Sequence, residues 1–448
     1  MSPASRKAAR KATRLIRRAG PAARRALPAA VALLVAAVSL TIMAASRPAS
    51  AARSGQDGWI TSWSASPQVA GPGTLGARGF GNQTVREVIF ASAGGDPIRL
   101  ELTNVFGTTP LHVGHVTVAQ ADARDPGSAA VLGQVHPVTF GGSPSVVIPA
   151  GAQLLSDPVA MRVDPLEDLA VSVYLPDRTG PATFHSDAQQ LNWLSEGDHA
   201  ADPGAGAFTT STLSWYYVNS LVVRSADEAG TVVALGDSIT DGVGSTTGAD
   251  ARWPNDLARR LDALGSPALS VADEGIGGNR LLGGSACCGV SAPDRFTRDV
   301  LDRPGVRDVI VLEGINDVGV GMAHPGVEKV STDRIIAVYQ RMIAEAHARG
   351  LKIFGATILP YQGAGYFTAA GETIREQVNE WILTSRAFDG VIDFNAVMSD
   401  PANPLRLNPF YDSGDHLHPN DAGYQAMADA INLQMLFPAG LTAGAATG

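Results

Sequence analysis

The hydrophobic pattern of this chain changes its period about half-way along, and this change limits the fold more than any other feature. In the first half, apolar and polar residues alternate: Ile98, Leu100 and Leu102 are separated by Arg99 and Glu101, which predicts antiparallel strands with one buried face. In the second half, short apolar runs alternate with amphipathic stretches, the pattern of parallel strands joined by helices. The sequence therefore predicts two bodies, one β-rich and one α/β.

We expect the first body to be an antiparallel β-sandwich over residues 57–224, with one face in contact with solvent. A second alternating run at residues 169–175 and the turns rich in glycine and proline between the runs support this interpretation. Residues 225–230 are short, small and polar, and they suit a linker.

The second body is expected over residues 231–437, followed by a flexible tail at 438–448. Parallel strands are expected at residues 231–236, 268–272, 306–312, 351–358 and 391–394. Helices are expected at residues 254–264 and from the Ser331/Thr332 cap to Gly350. Strands and helices in alternation predict a doubly wound parallel sheet, whose ligand crevice lies at the carboxyl ends of the strands.

The first 51 residues have the layout of an export signal. A basic stretch through Arg25 precedes an apolar run at residues 31–45, and small residues occupy positions 49–51, where a signal peptidase cleaves. We expect a signal peptide at 1–51 and a secreted protein without stable membrane insertion after cleavage. A retained membrane anchor at 26–45 is the alternative. Adjacent arginine pairs leave a twin-arginine export route open.

Charge excludes one class of partner. The formal net charge is −9, although the first 51 residues contribute ten Lys/Arg and no Asp/Glu. The rest of the chain is therefore strongly acidic and would repel a phosphate backbone, so we expect no nucleic acid as a partner.

The chain has two cysteines, which are adjacent at Cys287 and Cys288. They cannot form a disulfide framework, and they match no metal-ligand spacing. We expect two thiols in a loop rather than a strained vicinal disulfide.

Polar groups of complementary chemistry follow the predicted strands or lie near the C-terminus. Ser238 follows the first strand, and Asp415 and His418 are three residues apart, close enough for the carboxylate to orient the imidazole. Such a trio supplies a nucleophile, its base and the orienting acid. The backbone N–H groups of Ser238 and Gly278 and the side-chain amide of Asn316 are candidates for an oxyanion hole. Pro419 at a first helical position is expected to fix the turn after His418.

Two alternatives remain for this site. His416 is a rival base, because Asp412 lies four residues before it. A metal centre built from Asp237, Asp415, His416 and His418 is a rival mechanism. It lacks a further ligand cluster in the sequence, so we expect no metal and no cofactor.

Four sequence blocks resemble those of the SGNH, or GDSL-type, hydrolase family. The blocks are Gly236-Asp237-Ser238, Gly278, Gly314-Ile315-Asn316-Asp317 and Asp415 to His418, in this order. The resemblance implies an esterase or acyl hydrolase with a flavodoxin-like α/β/α fold over residues 231–437 and no metal cofactor. Asp273 departs from the family, since many relatives carry asparagine there. The segment 59–63, Trp-Ile-Thr-Ser-Trp, and the β-rich body resemble the accessory region of secreted actinobacterial members.

The expected function is that of a secreted serine ester hydrolase acting through an acyl-enzyme. The expected substrate is a small-molecule or polysaccharide ester, with short-chain or carbohydrate O-acyl esters favoured. A lipid acyl hydrolase, a lipase or lysophospholipase-like enzyme, is the alternative on the same site. An acyltransferase would use the same acyl-enzyme. A non-catalytic polysaccharide-binding surface protein is the alternative of another class.

Overall fold

The computed structural model of the protein describes residues 58–122, 125, 127–225, 230–265, 269–323 and 329–437. The predicted signal segment, most of the predicted linker and the predicted tail lie outside the described residues. All described residues belong to one compact unit. The boundary between the two predicted bodies stays a prediction, because residues 226–229 are not described.

Five strands of the second half form one parallel sheet, as their continuous apolar runs predict. With strands numbered along the chain, they are β16 (Gly230–Gly236), β17 (Leu269–Gly275), β18 (Val306–Leu312), β19 (Lys352–Ala356) and β20 (Gly390–Ile392). Their order is β17-β16-β18-β19-β20, and all pairs are parallel. This is the flavodoxin-like order, in which the first strand lies between the second and the third. The predicted fold class is confirmed.

Helices join these strands, and their apolar faces pack on the sheet. They are α2 (Ser238–Asp241), α3 (Trp253–Asp262), α4 (Ala292–Phe296), α5 (Ile315–Ala323), α6 (Thr332–Ala348), α7 (Ala369–Thr384), α8 (Phe394–Met398) and α9 (Asp421–Ala430). A further short helix, α1 (Leu75–Arg78), lies in the first half of the chain. A π-helical turn spans Thr297–Leu301 and a 3₁₀ helix spans Leu433–Leu436. Ser331 caps α6 by accepting from the backbone N–H of Arg334, as the sequence predicts.

The first half folds into antiparallel sheets. A four-stranded sheet has the order β1 (Trp59–Ser64), β15 (Val218–Arg224), β4 (Ile98–Thr103) and β9 (Gln153–Leu155). A six-stranded sheet has the order β13 (Thr210–Thr212), β12 (Asn192–Glu196), β3 (Gln83–Ala91), β10 (Glu167–Leu175), β6 (His115–Ala121) and β7 (Val131–Val138). Smaller sheets join β14 (Trp215–Tyr216), β11 (Thr183–His185) and β2 (Gln68–Val69), β5 (Leu111–Val113) and β8 (Val146–Ile148), and β21 (Ser399–Asp400) and β22 (Asn403–Leu407), the last pair in the second half. The two large sheets share one hydrophobic core.

The expectation of one wet face is wrong for the centre of the six-stranded sheet. Val88 and Ala170 lie on the face turned away from the main core, and they are buried against Trp193 and Phe208. The loop that carries Phe208 covers this face, and the guanidinium of Arg86 lies 4.0 Å from the centre of the Phe208 ring. Both faces of the central strands are therefore dry.

The β-rich body packs along the edge of the parallel sheet. Strand β1 lies against β17, and the backbone N–H of Val271 donates to Ser92 Oγ at 2.9 Å. Arg303, which is 3% exposed, donates to Glu274 at 2.6 Å and to Glu101 of β4 at 3.1 Å. This contact covers the edge strand β17, which would otherwise be open to pairing with another chain.

Within the described part of the chain, no helix is both long and apolar enough to span a bilayer.

Candidate active site

The chain turns sharply at the end of β16 to place Ser238. A Cβ at Gly236 would lie 2.1 Å from Thr240 Oγ1 and 2.5 Å from the Leu312 carbonyl oxygen, so only glycine fits this turn. Ser238 is the first residue of α2, and the Asp237 carboxylate caps the helix by accepting from the Ile239 N–H at 3.0 Å. The Ser238 hydroxyl therefore lies at the carboxyl edge of the sheet, where such folds bind ligands.

Ser238, His418 and Asp415 form a continuous hydrogen-bonded chain. The distance from His418 Nε2 to Ser238 Oγ is 2.8 Å, and the distance from His418 Nδ1 to Asp415 Oδ2 is 2.5 Å. Because an ionised carboxylate only accepts, the Nδ1 proton points to Asp415, and Nε2 is left to accept from the serine hydroxyl. This geometry is that of a nucleophile, a base and an orienting acid.

Asp415 is ionised at neutral pH. Partial burial opposes its charge, but hydrogen bonds from the backbone N–H and the ring of His418 outweigh it and hold the pKa of the Asp415 carboxyl below its ordinary value. The backbone N–H of Leu417 donates to the same carboxylate at 2.9 Å. A charged Asp415 can stabilise a positive charge on the His418 ring.

The rival base lies on the same loop but has another partner. His416 Nδ1 lies 2.6 Å from Asp412 Oδ2, and its side chain is 54% exposed. Its ring packs beside Gly363, whereas the hydrogen bond to Ser238 comes from His418. Both Asp–His pairs foreseen in the sequence therefore exist, and one of them reaches Ser238.

Pro419 does not begin the last helix, contrary to expectation. Asn420 is the N-cap of α9 and accepts from the N–H of Gly423 at 3.0 Å. Pro419 instead forms an isolated bridge with Asp412. Asparagine is among the preferred N-cap residues, and its cap places the first helical residue at Asp421, two residues after Pro419.

Gly278 and Asn316, the other predicted oxyanion donors, follow the two strands that flank β16: Gly278 lies on the loop after β17, and Asn316 lies in the first turn of α5, after β18. Gly278 has φ +73°, and a Cβ there would lie 2.6 Å from Cys288 Sγ, so glycine is required. The Asn316 amide donates to the Asn279 carbonyl at 3.1 Å, and the Tyr366 hydroxyl donates to Asn316 Oδ1 at 3.3 Å. These bonds fix which end of the amide carries the N–H groups.

The expectation of two thiols is wrong, because Cys287 and Cys288 form a disulfide with each other. The loop closes on itself through a bridge between Ser285 and Gly289, and the Asn279 amide donates to the Cys288 carbonyl at 2.8 Å. A tight turn brings the adjacent sulfur atoms together and places one of them against Gly278.

Two residues that support the site, Asp317 and Tyr366, were not predicted from the sequence. Asp317 accepts from the N–H groups of Leu281 and Leu282, both at 2.8 Å, and so ties the loop after β17 to α5. Its place beside Asn316 in the third block was the signal that could have found it. Tyr366 had no such signal, because it comes from a distant loop.

Acidic side chains are buried around the serine turn. Burial, together with the charges of Asp317 and Asp241 and against a hydrogen bond from Ile239, raises the pKa of Asp237 to about 7. Burial also raises the pKa of Asp273 to about 7, against the charge of Arg252. Asp273 Oδ1 accepts from the Gly275 N–H at 2.8 Å.

The described residues offer no ligand set for the rival metal centre. No group of three or more His, Cys, Asp or Glu side chains there is arranged to hold a metal ion. His418 and Asp415 are bonded to each other.

Comparison with known families identifies the second body. Residues 234–426 match the model of the GDSL-like lipase/acylhydrolase family, and this stretch contains all four sequence blocks. This part of the chain is therefore a GDSL-like, or SGNH, hydrolase domain, as the blocks predict. Curated proteins give no match to the chain.

Several solved structures share a limited likeness with the chain. A lipase/acylhydrolase from Enterococcus faecalis is 18% identical, with 45% of this chain and 92% of that chain covered and a TM-score of 0.34. An aryl esterase from M. smegmatis is 15% identical, with 45% and 95% covered and a TM-score of 0.36. An acetyl xylan esterase is 22% identical, with 45% and 96% covered and a TM-score of 0.34. The family assignment rests on the sequence match.

Proposed function

We propose that this protein is a secreted serine esterase that forms an acyl-enzyme at Ser238. The observation that carries the proposal is the contact of His418 with both Ser238 Oγ, at 2.8 Å, and Asp415. An acylhydrolase domain supplies the reaction class. The trio supplies the means to activate a hydroxyl.

The reaction proceeds in two halves. His418 Nε2 takes the Ser238 proton as Oγ attacks the ester carbonyl, and the resulting oxyanion accepts hydrogen bonds from Gly278, Asn316 and the Ser238 N–H. The C–O bond to the alcohol breaks, and His418 returns the proton to the departing alkoxide. A water molecule, deprotonated by His418, then attacks the acyl carbon. The bond from the acyl carbon to Ser238 Oγ breaks, His418 returns the proton to Oγ, and the acid is released.

We favour short-chain or carbohydrate O-acyl esters as substrates because the wall beside Gly277 is polar. A Cβ at Gly277 would lie 2.9 Å from Asp187 Oδ2, and Ser186 and Gln189 on the same segment are half-buried. Hydroxyl-rich alcohol parts can hydrogen-bond to such a wall, whereas a long acyl chain gains nothing from it.

One observation favours the lipid alternative. Phe410 is 70% exposed on the loop that leads to Asp415 and His418. Such a ring offers apolar contact to an acyl chain or a lipid surface. Phe410→Ala should lower kcat/KM on long acyl chains and leave acetyl esters unchanged if lipid is the substrate.

The test is a series of aryl esters of increasing acyl length and acetylated polysaccharide, assayed with the full chain and with Ser238→Ala. We expect the highest kcat/KM on acetyl to butyryl esters, none with Ser238→Ala, and a serine-directed phosphonate attached to Ser238 in the mass spectrum. Activity should survive chelation. Free acid as the product supports hydrolysis, and a new ester supports acyl transfer. Absence of activity and of label would overturn the proposal in favour of a binding protein.

Export is tested separately. The mature protein in the culture medium should begin at Ala52, since we propose cleavage after Ala51. A cell-bound protein that keeps residues 26–45 would support the anchor instead.

A further inference from the structure

One histidine of the β-rich body reaches the edge of the α/β body. His185 is the last residue of β11. Its Nδ1 lies 2.9 Å from the Ser66 carbonyl oxygen, and its Nε2 lies 3.0 Å from Asp241 Oδ1. The side chains of His185 and Asp241 are only 4% and 1% exposed, so water does not weaken this pair.

Both ring nitrogens of His185 carry a proton. The Ser66 carbonyl oxygen lies 2.9 Å from Nδ1 and an oxygen of the Asp241 side chain lies 3.0 Å from Nε2, so each ring nitrogen faces an acceptor. Burial alone would lower the pKa of His185, but the charge and hydrogen bond of Asp241 and the bond to Ser66 raise it to about 9. His185 is therefore a buried imidazolium paired with a buried carboxylate.

Asp241 connects this imidazolium to the loop of Gly278. Asp241 is the last residue of α2, three residues after Ser238. Its second oxygen, Oδ2, accepts from the backbone N–H of Gly277 at 3.2 Å. Gly277 precedes Gly278, whose N–H is a proposed oxyanion donor, so one carboxylate joins His185, the serine helix and the oxyanion loop.

The other charged groups around His185 show what its loss would do. Asp187 and Asp273 act on it electrostatically, and Arg252 Nη1 lies 3.9 Å from Asp241 Oδ1 and 3.7 Å from Asp273 Oδ2. Without the imidazolium, the buried Asp241 carboxylate would have Arg252 as its neighbouring cation. It would turn toward Arg252 and away from the Gly277 N–H.

We propose that His185 is a positioning residue that holds the oxyanion loop in place through Asp241 and Gly277. The proposal rests on the function proposed above. In this arrangement the β-rich body completes the catalytic site by supplying a side chain that the hydrolase domain does not contain.

The test replaces His185 by glutamine, which keeps one N–H donor but no charge, in the full chain. The matched control is His199→Ala, which removes another His–Asp pair of the β-rich body, His199 with Asp202 at 2.7 Å. Each variant is assayed on an aryl acetate, and active sites are counted with a serine-directed phosphonate.

We expect His185→Gln to lower kcat per titrated site about tenfold, with KM within about twofold, since a displaced oxyanion donor loses part of the 10²–10³-fold effect of a deleted one. The pH at half-maximal kcat/KM should not move, because the Ser238–His418 pair is untouched. The control should match the wild type. A purely structural role would instead lower the number of titrated sites and leave kcat per site unchanged, and that result would overturn the proposal.

Asp241→Asn provides a second, independent reading. It keeps an oxygen for the Gly277 N–H but removes the charge that fixes it, so kcat per titrated site should fall here too. Because His185 acts through Asp241, the kcat of the double variant should lie no more than about twofold below the kcat of the less active single variant. The proposal would be overturned if the free-energy losses in kcat of the two single variants added in the double variant. If His185→Gln does not fold, a wild-type kcat in Asp241→Asn would overturn the proposal.

The outcomes separate the two proposals. If the wild type hydrolyses esters at Ser238 and His185→Gln equals it per site, the positioning role falls and the serine esterase stands. If the wild type neither hydrolyses esters nor takes the phosphonate, both fall together.

Discussion

Replacing Asp415 by asparagine or by alanine separates two effects of its carboxylate on His418. One oxygen accepts from the backbone N–H groups of Leu417 and His418 at 2.9 and 2.8 Å, and the other accepts from Nδ1 at 2.5 Å. In Asp415→Asn the amide oxygen keeps the backbone bonds, so its NH₂ group faces Nδ1. Nδ1 must then accept, and the ring proton moves to Nε2, the atom that should receive the Ser238 proton. In Asp415→Ala the ring is free to adopt either tautomer.

The two losses therefore differ in size. A carboxylate about 4 Å from an imidazolium contributes ~1 kcal/mol in water and ~4 kcal/mol near a protein surface. Asp415 is 50% exposed, so we expect Asp415→Ala to lose about 2 kcal/mol, or about 30-fold in kcat. An asparagine in place of the orienting carboxylate lowers kcat about 10⁴-fold. The measurement is kcat on an aryl acetate. The wild-type rate is divided by the number of titrated active sites, and the rate of each variant is divided by the number of folded molecules. An asparagine variant as active as the alanine variant would refute the tautomer reasoning.

Four further predictions follow from the site. Ser238→Ala should keep the fold and remove activity by several orders of magnitude, because no acyl-enzyme can form; turnover above about a tenth of the wild type excludes it as the nucleophile. His418→Ala should lose about as much as Ser238→Ala, and His416→Ala far less, in the same assay; the reverse order would assign the base to His416. Asn316→Ala should lower kcat by about 10²–10³-fold with KM little changed, and a change in KM alone would make it a substrate-binding group. Because the pKa of His185 is raised to about 9, its pair contributes full stability below the ordinary histidine pKa and loses it as pH rises through about 9; Tm should fall over that range in the wild type and less in His185→Gln.

Much of the α/β fold could be predicted because its strands are buried on both faces. Strand β18 lies at residues 306–312 as expected, since a short and mostly apolar run between turn residues is typical of a strand buried on both faces. The burial of the β-sandwich was harder to predict from the sequence. Alternation identifies the face toward the main core, but small residues such as Ala170 do not indicate whether the other face is covered. The cover comes from Phe208, almost forty residues further along, and no local pattern connects the two.

The Asp415–His418 pair could be predicted because it is local, and one turn of chain fixes its geometry. Its contact with Ser238, 180 residues away, could be expected from topology, since both follow elements that end at the same edge of the sheet. The catalytic roles stay predictions. The orientation of the Asn316 amide could not be foreseen, because it depends on Tyr366 from a separate loop.

The His185–Asp241 pair shows a physical limit of sequence reasoning about sites. Asp241 lies within the serine turn, but an aspartate at the end of a short helix is ordinarily a solvated residue. Its burial is tolerated because His185 of β11, 56 residues earlier in the chain, lies beside it together with the more distant Arg252 guanidinium, and a buried carboxylate with neither partner would be destabilised. The partner is set by the packing of the β-rich body on the sheet edge, so it becomes visible only when both bodies are seen together. The charge pair and the domain contact thus depend on each other: the contact excludes the water, and the pair makes the dry contact stable.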